Sequence, residues 1–407
     1  MSEETDNPKI FYGWFVVIAC FFVTMSFGET MWCFGVFFKP LEGEFHWSRT
    51  LISSGYTAFL IAYSLSSIVA GRISDRHGPR LLLLAGGALA GLGICLCSQV
   101  QCVNEFRGYL TLAGLGAGAT WSVPTSMVQR WFYGRPRAGL ALAIVVAGVG
   151  IGALVFAPLI NYFILHYGWR NGFLISGILS FVTISAAAPV VRPNPRVVQM
   201  TFDQEEEAPH RVDMSGLTLA KVVTNASFLI LALALCVTVL TFQVLSVHLI
   251  PYATDFGISS TVAATAVGLT GAFSIPGRLL AGPLSDRISW KKSIVMSLFG
   301  MTAATGWLLF SRTEWMLYGF ASVFGIFWGI RTTALIGALG AFFGMRLLGE
   351  LIGIATATGN ILGAFVPYIA GYVFDTVGSY SIVFISLATL LLGVSLLATS
   401  LKKPNFS

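Results

Sequence analysis

Residues 71–80 read Gly71-Arg72-Ile73-Ser74-Asp75-Arg76-His77-Gly78-Pro79-Arg80 and lie between two long apolar stretches. A related segment, Gly282-Pro283-Leu284-Ser285-Asp286-Arg287, lies between two further apolar stretches, so that Asp286 follows Asp75 by 211 positions. A second pair of segments, YFILHYG at 162–168 and YVFDTVG at 372–378, repeats at an offset of 210 positions. Two repeats at nearly the same offset predict a chain made of two similar halves.

The composition is that of a membrane protein. The chain has 407 residues, of which 56% are hydrophobic and 10% are charged, and its mean hydropathy is +0.79. Soluble domains average about 25% charged residues, so there are too few polar groups here to cover a globular surface. This excludes an ordinary soluble protein.

Twelve apolar stretches recur along the chain, and each is near or above the ~20 residues that a helix needs to cross a bilayer. They are 12–34, 50–71, 81–100, 108–129, 138–165, 170–191, 225–251, 260–284, 293–311, 315–338, 347–374 and 379–401. Inside lipid every backbone polar group must be paired, which leaves helices for these stretches. The sequence therefore predicts an all-α membrane protein with 12 transmembrane helices and pseudo-two-fold symmetry. Its two six-helix halves are 1–191 and 225–407, and a polar cytoplasmic linker at 192–224 joins them.

The basic residues are sorted by loop and do not form a patch, which argues against nucleic acid as a partner despite the net charge of +6. Of the 24 lysines and arginines, seventeen lie on the side that holds both termini, five on the opposite side and two inside apolar stretches. Cytoplasmic loops of membrane proteins carry an excess of positive charge. We therefore expect both termini and both motif copies in the cytoplasm, with the first stretch retained as a helix.

An enzyme or a receptor is the disfavoured class. The sequence shows no Ser/His/Asp, Cys/His or metal-spaced cluster, and its six cysteines lie mostly in apolar stretches, where they serve as packing residues. The polar segments are short and contain no signalling domain. We expect neither a cofactor nor a metal.

The charged motif is suited to a reversible contact at one face of a helix bundle. Its aspartate would accept hydrogen bonds from a helix N-terminus, and its arginines would pair with acids or lipid phosphate. One copy alone would be read as a solvated loop, but two copies in register favour a function. The pattern resembles the cytoplasmic signature loop of the major facilitator superfamily, which implies that fold and a gate latch of the outward-facing state. The gating residues so implied are Gly71, Asp75, Arg76, Gly78, Arg80, Gly282, Asp286 and Arg287.

A narrower resemblance covers nearly the whole chain. Residues 12–14 (YGW) and 36–39 (VFFK) are similar to the first helix of monocarboxylate transporters, 137–143 (RAGLALA) to their fifth, and 277–278 (GR) to their eighth. The similarity is greatest to prokaryotic members, including the oxalate/formate antiporter branch. It implies a transporter of a prokaryotic inner membrane that functions as a monomer by alternating access.

Arg278 is the first candidate for the substrate site. It precedes Asp286 by eight residues, which is about 12 Å of helix at ~1.5 Å per residue, and so lies well inside the hydrocarbon. A buried arginine costs at least ~2.5–3.5 kcal/mol to insert and normally faces a cavity or a partner. Its planar fork suits a carboxylate, and the alternative is a fixed salt bridge between helices. The resemblance also implies that this eighth-helix arginine binds the substrate carboxylate.

Other residues are expected to line the same site. Arg331 corresponds by the repeat offset to Thr120, and it would bind a second anionic group, snorkel, or pair with an internal carboxylate. The oxalate exchangers are expected to carry a second cation on the eleventh helix. Residues 347–374 contain no Lys or Arg, which favours a monocarboxylate. The further lining candidates are Trp121, Asn360, Tyr252 and His248, and for the aromatic residues Trp121 and Tyr252 the alternative is lipid or core packing.

Proton coupling needs an acid that takes up a proton. Glu29 lies deep in the first stretch, and an intramembrane acid is a functional candidate by default. Asp255 lies near the outer end of the seventh stretch, seven residues after His248, and its alternative is a helix-end or loop carboxylate. Trp32 and Ser274 occupy the places of a lysine and an aspartate that serve the proton route of animal relatives. That departure leaves Glu29, Asp255 and His248 as replacements.

These observations together predict a secondary active transporter of short monocarboxylates, such as lactate or pyruvate, coupled to protons. The anion would neutralise Arg278 and a proton would neutralise an acid, so that the two halves can rock around the loaded site. The alternative transport mode is exchange, such as oxalate for formate. The expected partners are a small carboxylate, protons and the lipid bilayer.

Overall fold

The structure is a computed structural model that describes residues 11–132, 137–192, 219–344 and 348–404, without the side chains of 71, 72, 75–77, 220 and 348–350. Within these ranges the regular secondary structure is helical throughout. The α-helices, in chain order, are α1 (Gly13–Trp32), α2 (Phe38–Phe45), α3 (Arg49–His77), α4 (Pro79–Leu96), α5 (Val103–Ala117), α6 (Ala119–Trp131), α7 (Ala138–Tyr167), α8 (Trp169–Ala187), α9 (Leu219–Val223), α10 (Ala226–Asp255), α11 (Ser260–Ile288), α12 (Trp290–Leu308), α13 (Glu314–Phe343), α14 (Leu348–Val377) and α15 (Ser381–Thr399). Single 3-10 turns follow α1 and α4, at Phe34–Phe37 and Cys97–Gln99.

A helix occupies each of the twelve predicted stretches, which confirms the all-α prediction. The fourth stretch is divided at Gly118 into α5 and α6, and α2 is an additional short helix between the first two stretches. Nine of the described helices are long and apolar enough to cross a membrane, and this set does not include α5, α6, α11 or α12. The count of twelve crossings therefore remains a prediction. Most of the predicted linker, 193–218, lies outside the described residues.

The repeated motif is helical, whereas the resemblance implied a loop. α3 continues through His77 and ends at Gly78, whose φ of +82° suits a residue without a Cβ. α11 continues through Ile288 and ends at Ser289, which lies 211 positions after Gly78 and has a φ of +86°. The aspartate and arginine of each motif copy lie in the last turn of α3 or α11, because the residue with positive φ that ends the helix follows them.

The gating residues are described in part. Arg80 Nη2 donates a hydrogen bond of 2.6 Å to the carbonyl of Pro189, which ties the start of α4 to the end of α8. Asp286 and Arg287 are exposed in the last turn of α11. Of the predicted gating residues, Gly71, Asp75 and Arg76 are described by their backbone alone. Gating by this motif stays a prediction.

The helix packing repeats at the offset of the sequence motifs. α1 packs against α7, α3 against α5 and α4 against α8; their counterparts α10 and α14, α11 and α13, and α12 and α15 also pack together. Two further pairings, α3 with α14 and α7 with α11, join the N-terminal helices α1–α8 to the C-terminal helices α10–α15. At the second of these joins, a Cβ on Gly150 would lie 2.4 Å from the carbonyl oxygen of Gly271. Glycines thus let these two helices approach closely, as small residues do in membrane bundles.

Candidate functional site

A central cavity of about 280 Å³ lies where the N-terminal and C-terminal helices meet. Its wall comes from α1, α3, α6, α7, α10, α11, α13 and α14, and most of it is apolar or aromatic. Among the described residues, no aspartate or glutamate lines it. Apart from tyrosine and tryptophan, its polar lining side chains are Gln243, Arg278, Arg331, Thr332, Thr356 and Asn360. An apolar hollow with a few convergent polar groups is the usual form of a small-molecule site.

Helix α11 carries Arg278 into the wall of this cavity. Its Nη1 donates to the carbonyl of Val146 on α7 at 3.1 Å, and its Nε is buried without a hydrogen-bond partner in the described part of the chain. A neutral carbonyl gives the guanidinium no counter-charge. A buried cation without an opposite charge is costly, so this position favours an anionic ligand.

Helix α13 places Arg331 in the same wall, where it is 4% exposed. The guanidinium carbon lies 4.2 Å from the centre of the Trp328 ring, a cation–π distance. Its Nε and Nη2 are buried and have no hydrogen-bond partner among the described residues. The cavity therefore contains two arginines that lack a described carboxylate partner.

Aromatic rings form much of the remaining wall. Trp32 packs edge-on against Phe242 with the ring centres 4.5 Å apart, and Phe242 stacks on Trp328 at 4.8 Å. Trp121 also lines the cavity, beside Phe27 at 5.6 Å. The wall thus offers apolar surface around the two guanidinium groups.

The sequence profile described as Major Facilitator Superfamily matches residues 18–311 and 231–405. The chain belongs to the major facilitator superfamily. It is therefore a multi-pass membrane transporter and not an enzyme.

Similar proteins indicate which group within the superfamily this chain resembles. Monocarboxylate transporter 4 of Mus musculus is 30% identical over 96% of this chain and 82% of its own length. Monocarboxylate transporter 12 of Homo sapiens is 27% identical over 98% of this chain and 81% of its own length. Monocarboxylate transporter 13 of Rattus norvegicus is 25% identical over 97% of this chain and 90% of its own length. The transporter is thus of the monocarboxylate-transporter type within the superfamily, as its motifs indicated.

Solved structures show the same fold at low sequence identity. A D-xylose–proton symporter superposes with a TM-score of 0.76 and 16% identity, covering 96% of this chain and 98% of its own. The nucleoside transporter NupG superposes with a TM-score of 0.76 and 12% identity, covering 96% and 100%. Both are likenesses of fold alone.

Four of the predicted lining residues of the transporter, Arg278, Arg331, Trp121 and Asn360, lie in the cavity wall, whereas His248 and Tyr252 do not. The reason is the length of α10: Gln243 lines the cavity, and at ~1.5 Å per residue His248 lies about 7.5 Å further along the helix. These two residues therefore stand beyond the cavity, towards the C-terminal end of α10.

His248 is fully buried, and its ring nitrogens are both engaged there. Nδ1 lies 2.8 Å from the hydroxyl of Tyr380, and Nε2 lies 2.8 Å from the carbonyl of Pro367 and 3.3 Å from Ser53 Oγ. The histidine therefore joins α3 to α14 and has no nitrogen directed at the cavity. Tyr252 likewise donates to the carbonyl of Leu308 at 2.8 Å.

Asp255 ends α10 within an ion cluster that joins the N-terminal and C-terminal helices. It accepts hydrogen bonds from Nη1 and Nη2 of Arg49 at 2.6 and 2.8 Å, and Lys39 Nζ lies 2.7 Å from it. Glu42 accepts from Arg49 Nε at 2.9 Å and lies 2.8 Å from Lys39. We call Lys39, Glu42, Arg49 and Asp255 the end cluster.

The start of α3 makes a second contact beside the end cluster. Asp375 accepts from the backbone N–H groups of Arg49 and Thr50 at 2.9 Å each, so a carboxylate of α14 satisfies two unpaired donors of another helix. The Arg49 guanidinium carbon also lies 3.6 Å from the centre of the Phe374 ring. Sequence reasoning missed these roles. One signal was available, since Asp375 replaces Leu165 within the repeated segments 162–168 and 372–378.

Glu29 is buried at 1% exposure and lies outside the central cavity. Its two carboxylate oxygens accept hydrogen bonds from Ser176 at 2.6 Å and Ser180 at 2.9 Å, both on α8. A separate small cavity of about 40 Å³ adjoins it. In contrast to Asp255, its partners in the described part of the chain are neutral.

Proposed function

We propose that this chain transports short monocarboxylates of the lactate or pyruvate type together with a proton. The observation that carries the proposal is Arg278, held in the cavity wall with a buried, unpaired Nε and no described carboxylate beside it. A substrate carboxylate would supply the missing counter-charge, and the guanidinium fork binds such a group through two parallel hydrogen bonds. The relatives named monocarboxylate transporters support the same substrate class.

The aromatic wall and Asn360 would hold the rest of the substrate. Trp121 would pack on a short aliphatic chain, and the Asn360 amide would bond to a hydroxyl or carboxylate oxygen. Burying apolar atoms of the substrate against these rings stabilises binding at roughly 25 cal/mol per Å². The charged group and the apolar body are thus bound by different parts of one cavity.

The transport cycle would be a rocking of residues 1–191 against residues 225–407 around Arg278, with 192–224 as the linker. Packing that repeats at the sequence offset supports this division. The end cluster would close one mouth of the cavity, and the repeated motif would close the other. The Lys and Arg bias favours cytoplasmic termini, and with that orientation the end cluster would face outwards. We place the transporter as a monomer in a prokaryotic inner membrane.

Glu29 is the proposed proton carrier, with Asp255 as the alternative. In the loaded state the anion would neutralise Arg278 and the proton would neutralise Glu29, so both buried charges would be compensated before the rocking step. The difference in partners favours Glu29: Ser176 and Ser180 are neutral, whereas Lys39 and Arg49 already compensate Asp255.

A second candidate function is anion exchange of the oxalate/formate type. The observation that favours it is Arg331, whose Nε and Nη2 are unpaired in the same cavity wall as Arg278. Two uncompensated cations would attract a dianion more strongly than a monoanion. In that mode external substrate, and not a pH gradient, would drive the efflux of substrate loaded inside.

A competition panel tests the proposal. The purified chain in liposomes takes up labelled lactate against unlabelled carboxylates of one to six carbons, with and without an inward proton gradient. We expect monocarboxylates to compete and the gradient to drive accumulation. Arg278→Ala should abolish uptake. Arg170→Ala, which removes an exposed arginine paired with Glu44, is the matched control. Lactate transport by Arg278→Ala at the parental rate would refute the assignment.

A further inference from the structure

The small cavity beside Glu29 contains another group that can pass protons. Tyr56 of α3 lines it together with Glu29, and so do Thr30 and Ser176. A volume of about 40 Å³ is roughly enough for two or three waters, since one water needs about 10–15 Å³. The hydroxyl and carboxyl groups of the wall supply the hydrogen-bond partners that such waters require.

Tyr56 also reaches the residues of the central cavity. Its hydroxyl oxygen lies 2.9 Å from the carbonyl oxygen of Met31 and 3.2 Å from Gln243 Oε1, so its single proton can be donated to either acceptor. Both Met31 and Gln243 line the central cavity. The ring is held in place between Phe34, at 4.8 Å, and Phe59, at 5.8 Å. One fixed hydroxyl therefore stands between the two cavities.

We propose that Tyr56, positioned by Gln243, is the step through which a proton passes between Glu29 and the central cavity. A water in the small cavity takes the proton from Glu29 and donates it to the Tyr56 oxygen, while the hydroxyl gives its own proton to a water or substrate carboxylate beside Gln243. The tyrosine ends each transfer neutral, and no oxidant or further reactant is needed. This inference rests on the proposed function, with Glu29 as the proton carrier.

The geometry also makes this route depend on conformation. Tyr56 lies on α3 and Gln243 on α10, so their hydrogen bond crosses from the N-terminal to the C-terminal helices, a few turns from the end cluster. Rocking that opens the end cluster separates α3 from α10 and breaks the step. The proton then leaves Glu29 for the central cavity only while this end is closed.

In the described lining of the small cavity, Tyr56 is the hydroxyl that contacts a polar side chain of the central cavity, since Thr30 donates to the carbonyl of Phe27 and Ser176 donates to Glu29. Besides Glu29 and Tyr56, the small cavity is lined by one other titratable group, Cys33 of α1, among the described residues. Ser176 and Ser180 face Glu29 from α8. In the described lining of the small cavity, no lysine or arginine offers Glu29 a counter-charge.

Tyr56→Phe is the test, with Tyr109→Phe as its matched control. Tyr109 lies on α5 and lines neither the small cavity nor the central one. In liposomes we expect Tyr56→Phe to lower proton-driven lactate accumulation at least tenfold and to leave lactate–lactate exchange, which moves no net proton, within twofold of the parent. Glu29→Gln should give the same pattern, and the double variant should be no worse than either one.

Three outcomes would overturn the proposal. If Tyr56→Phe accumulates lactate under a proton gradient as well as Tyr109→Phe does, Tyr56 is not a proton-transfer step. An equal loss of exchange and accumulation shows that the hydroxyl has a structural role only. Additive losses in the Tyr56→Phe, Glu29→Gln double variant show two separate routes. If lactate accumulation by the parent protein does not depend on the pH gradient, or if Glu29→Gln keeps that dependence, it is the proposed function that fails.

Discussion

Arg49 and Asp255 lie 206 positions apart in the chain and form a two-bonded ion pair, with Nη1 and Nη2 at 2.6 and 2.8 Å from the carboxylate oxygens. Arg49 begins α3 and Asp255 ends α10, so the pair fastens N-terminal helices to C-terminal helices. Arg49 is only 4% exposed, which limits screening by water. Such a bond is suited to holding one mouth of a transporter closed.

Removing one partner of the Arg49–Asp255 pair should favour opening of the cavity mouth at the end cluster. We expect Arg49→Gln to raise the ratio of open to closed molecules by roughly tenfold, about 1.4 kcal/mol, because Asp255 loses its two-bonded partner. Pulsed EPR distances between spin labels at Gly43 and Thr376, in a background without native cysteines, would report the change. Arg170→Gln is the control, since its partner Glu44 belongs to the same set of helices. An unchanged distance distribution would exclude a latch.

The shape of the Arg278 side chain should matter as well as its charge. Lys keeps the charge but cannot make two parallel bonds to a carboxylate, so we expect Arg278→Lys to lower lactate kcat/KM about 10- to 100-fold. Arg278→Ala should lower it further. Initial uptake rates over a range of lactate concentrations measure both. Equal activity of the lysine variant and the parent would mean that a point charge suffices.

Arg331 should separate the two candidate functions. If the substrate has one carboxylate, Arg331→Gln should keep at least a tenth of lactate uptake, because Arg278 still supplies the counter-charge. If the substrate is a dianion, the same change should abolish oxalate–formate exchange. Parallel uptake and exchange assays on one liposome preparation distinguish the cases, and a Thr332→Val variant controls for a change elsewhere in the lining.

Close packing of α7 on α11 should make Gly150 intolerant of a side chain. A Cβ there would lie 2.4 Å from a backbone oxygen, so Gly150→Ala should force the helices apart and lower the unfolding temperature. The control is Gly393→Ala on α15, where nothing lies within 4 Å of the added Cβ. There the helix propensity of alanine predicts an equal or higher unfolding temperature. Thermal unfolding in detergent measures both.

One contact outside the membrane-spanning helices has a predictable pH dependence. Hydrogen bonds from Arg170 and Trp169 lower the pKa of Glu44 below its ordinary value of 4.5. A carboxyl group whose pKa is lower in the folded state than in the unfolded state stabilises the folded protein at pH values above its unfolded-state pKa. This stabilisation is lost as the pH falls through the folded-state pKa. Glu44→Gln should therefore unfold slightly earlier than the parent at pH 7, and the difference should shrink as pH falls below 4.5. The difference should be small because the pair is exposed.

The outline of the fold could be predicted from the sequence because the bilayer restricts the choices. An apolar run that crosses lipid must be helical, so all twelve stretches coincide with helices. The offset between Asp75 and Asp286 likewise predicted packing that repeats along the chain. An arginine deep in the hydrocarbon must face a cavity or a partner, and Arg278 does line the central cavity.

The partners of the other charged residues could not be predicted from the sequence. Asp255, Asp375 and Glu29 are bound by residues more than 140 positions away, and no local pattern encodes those pairings. Which helix a side chain faces depends on the rotation and axial shift of two packed helices, and each residue turns a side chain by about 100°. The sequence alone thus determined the helices, their repeat and the presence of costly buried charges. The tertiary structure decided which charges meet and which remain free for a ligand, because these contacts form only when distant helices pack.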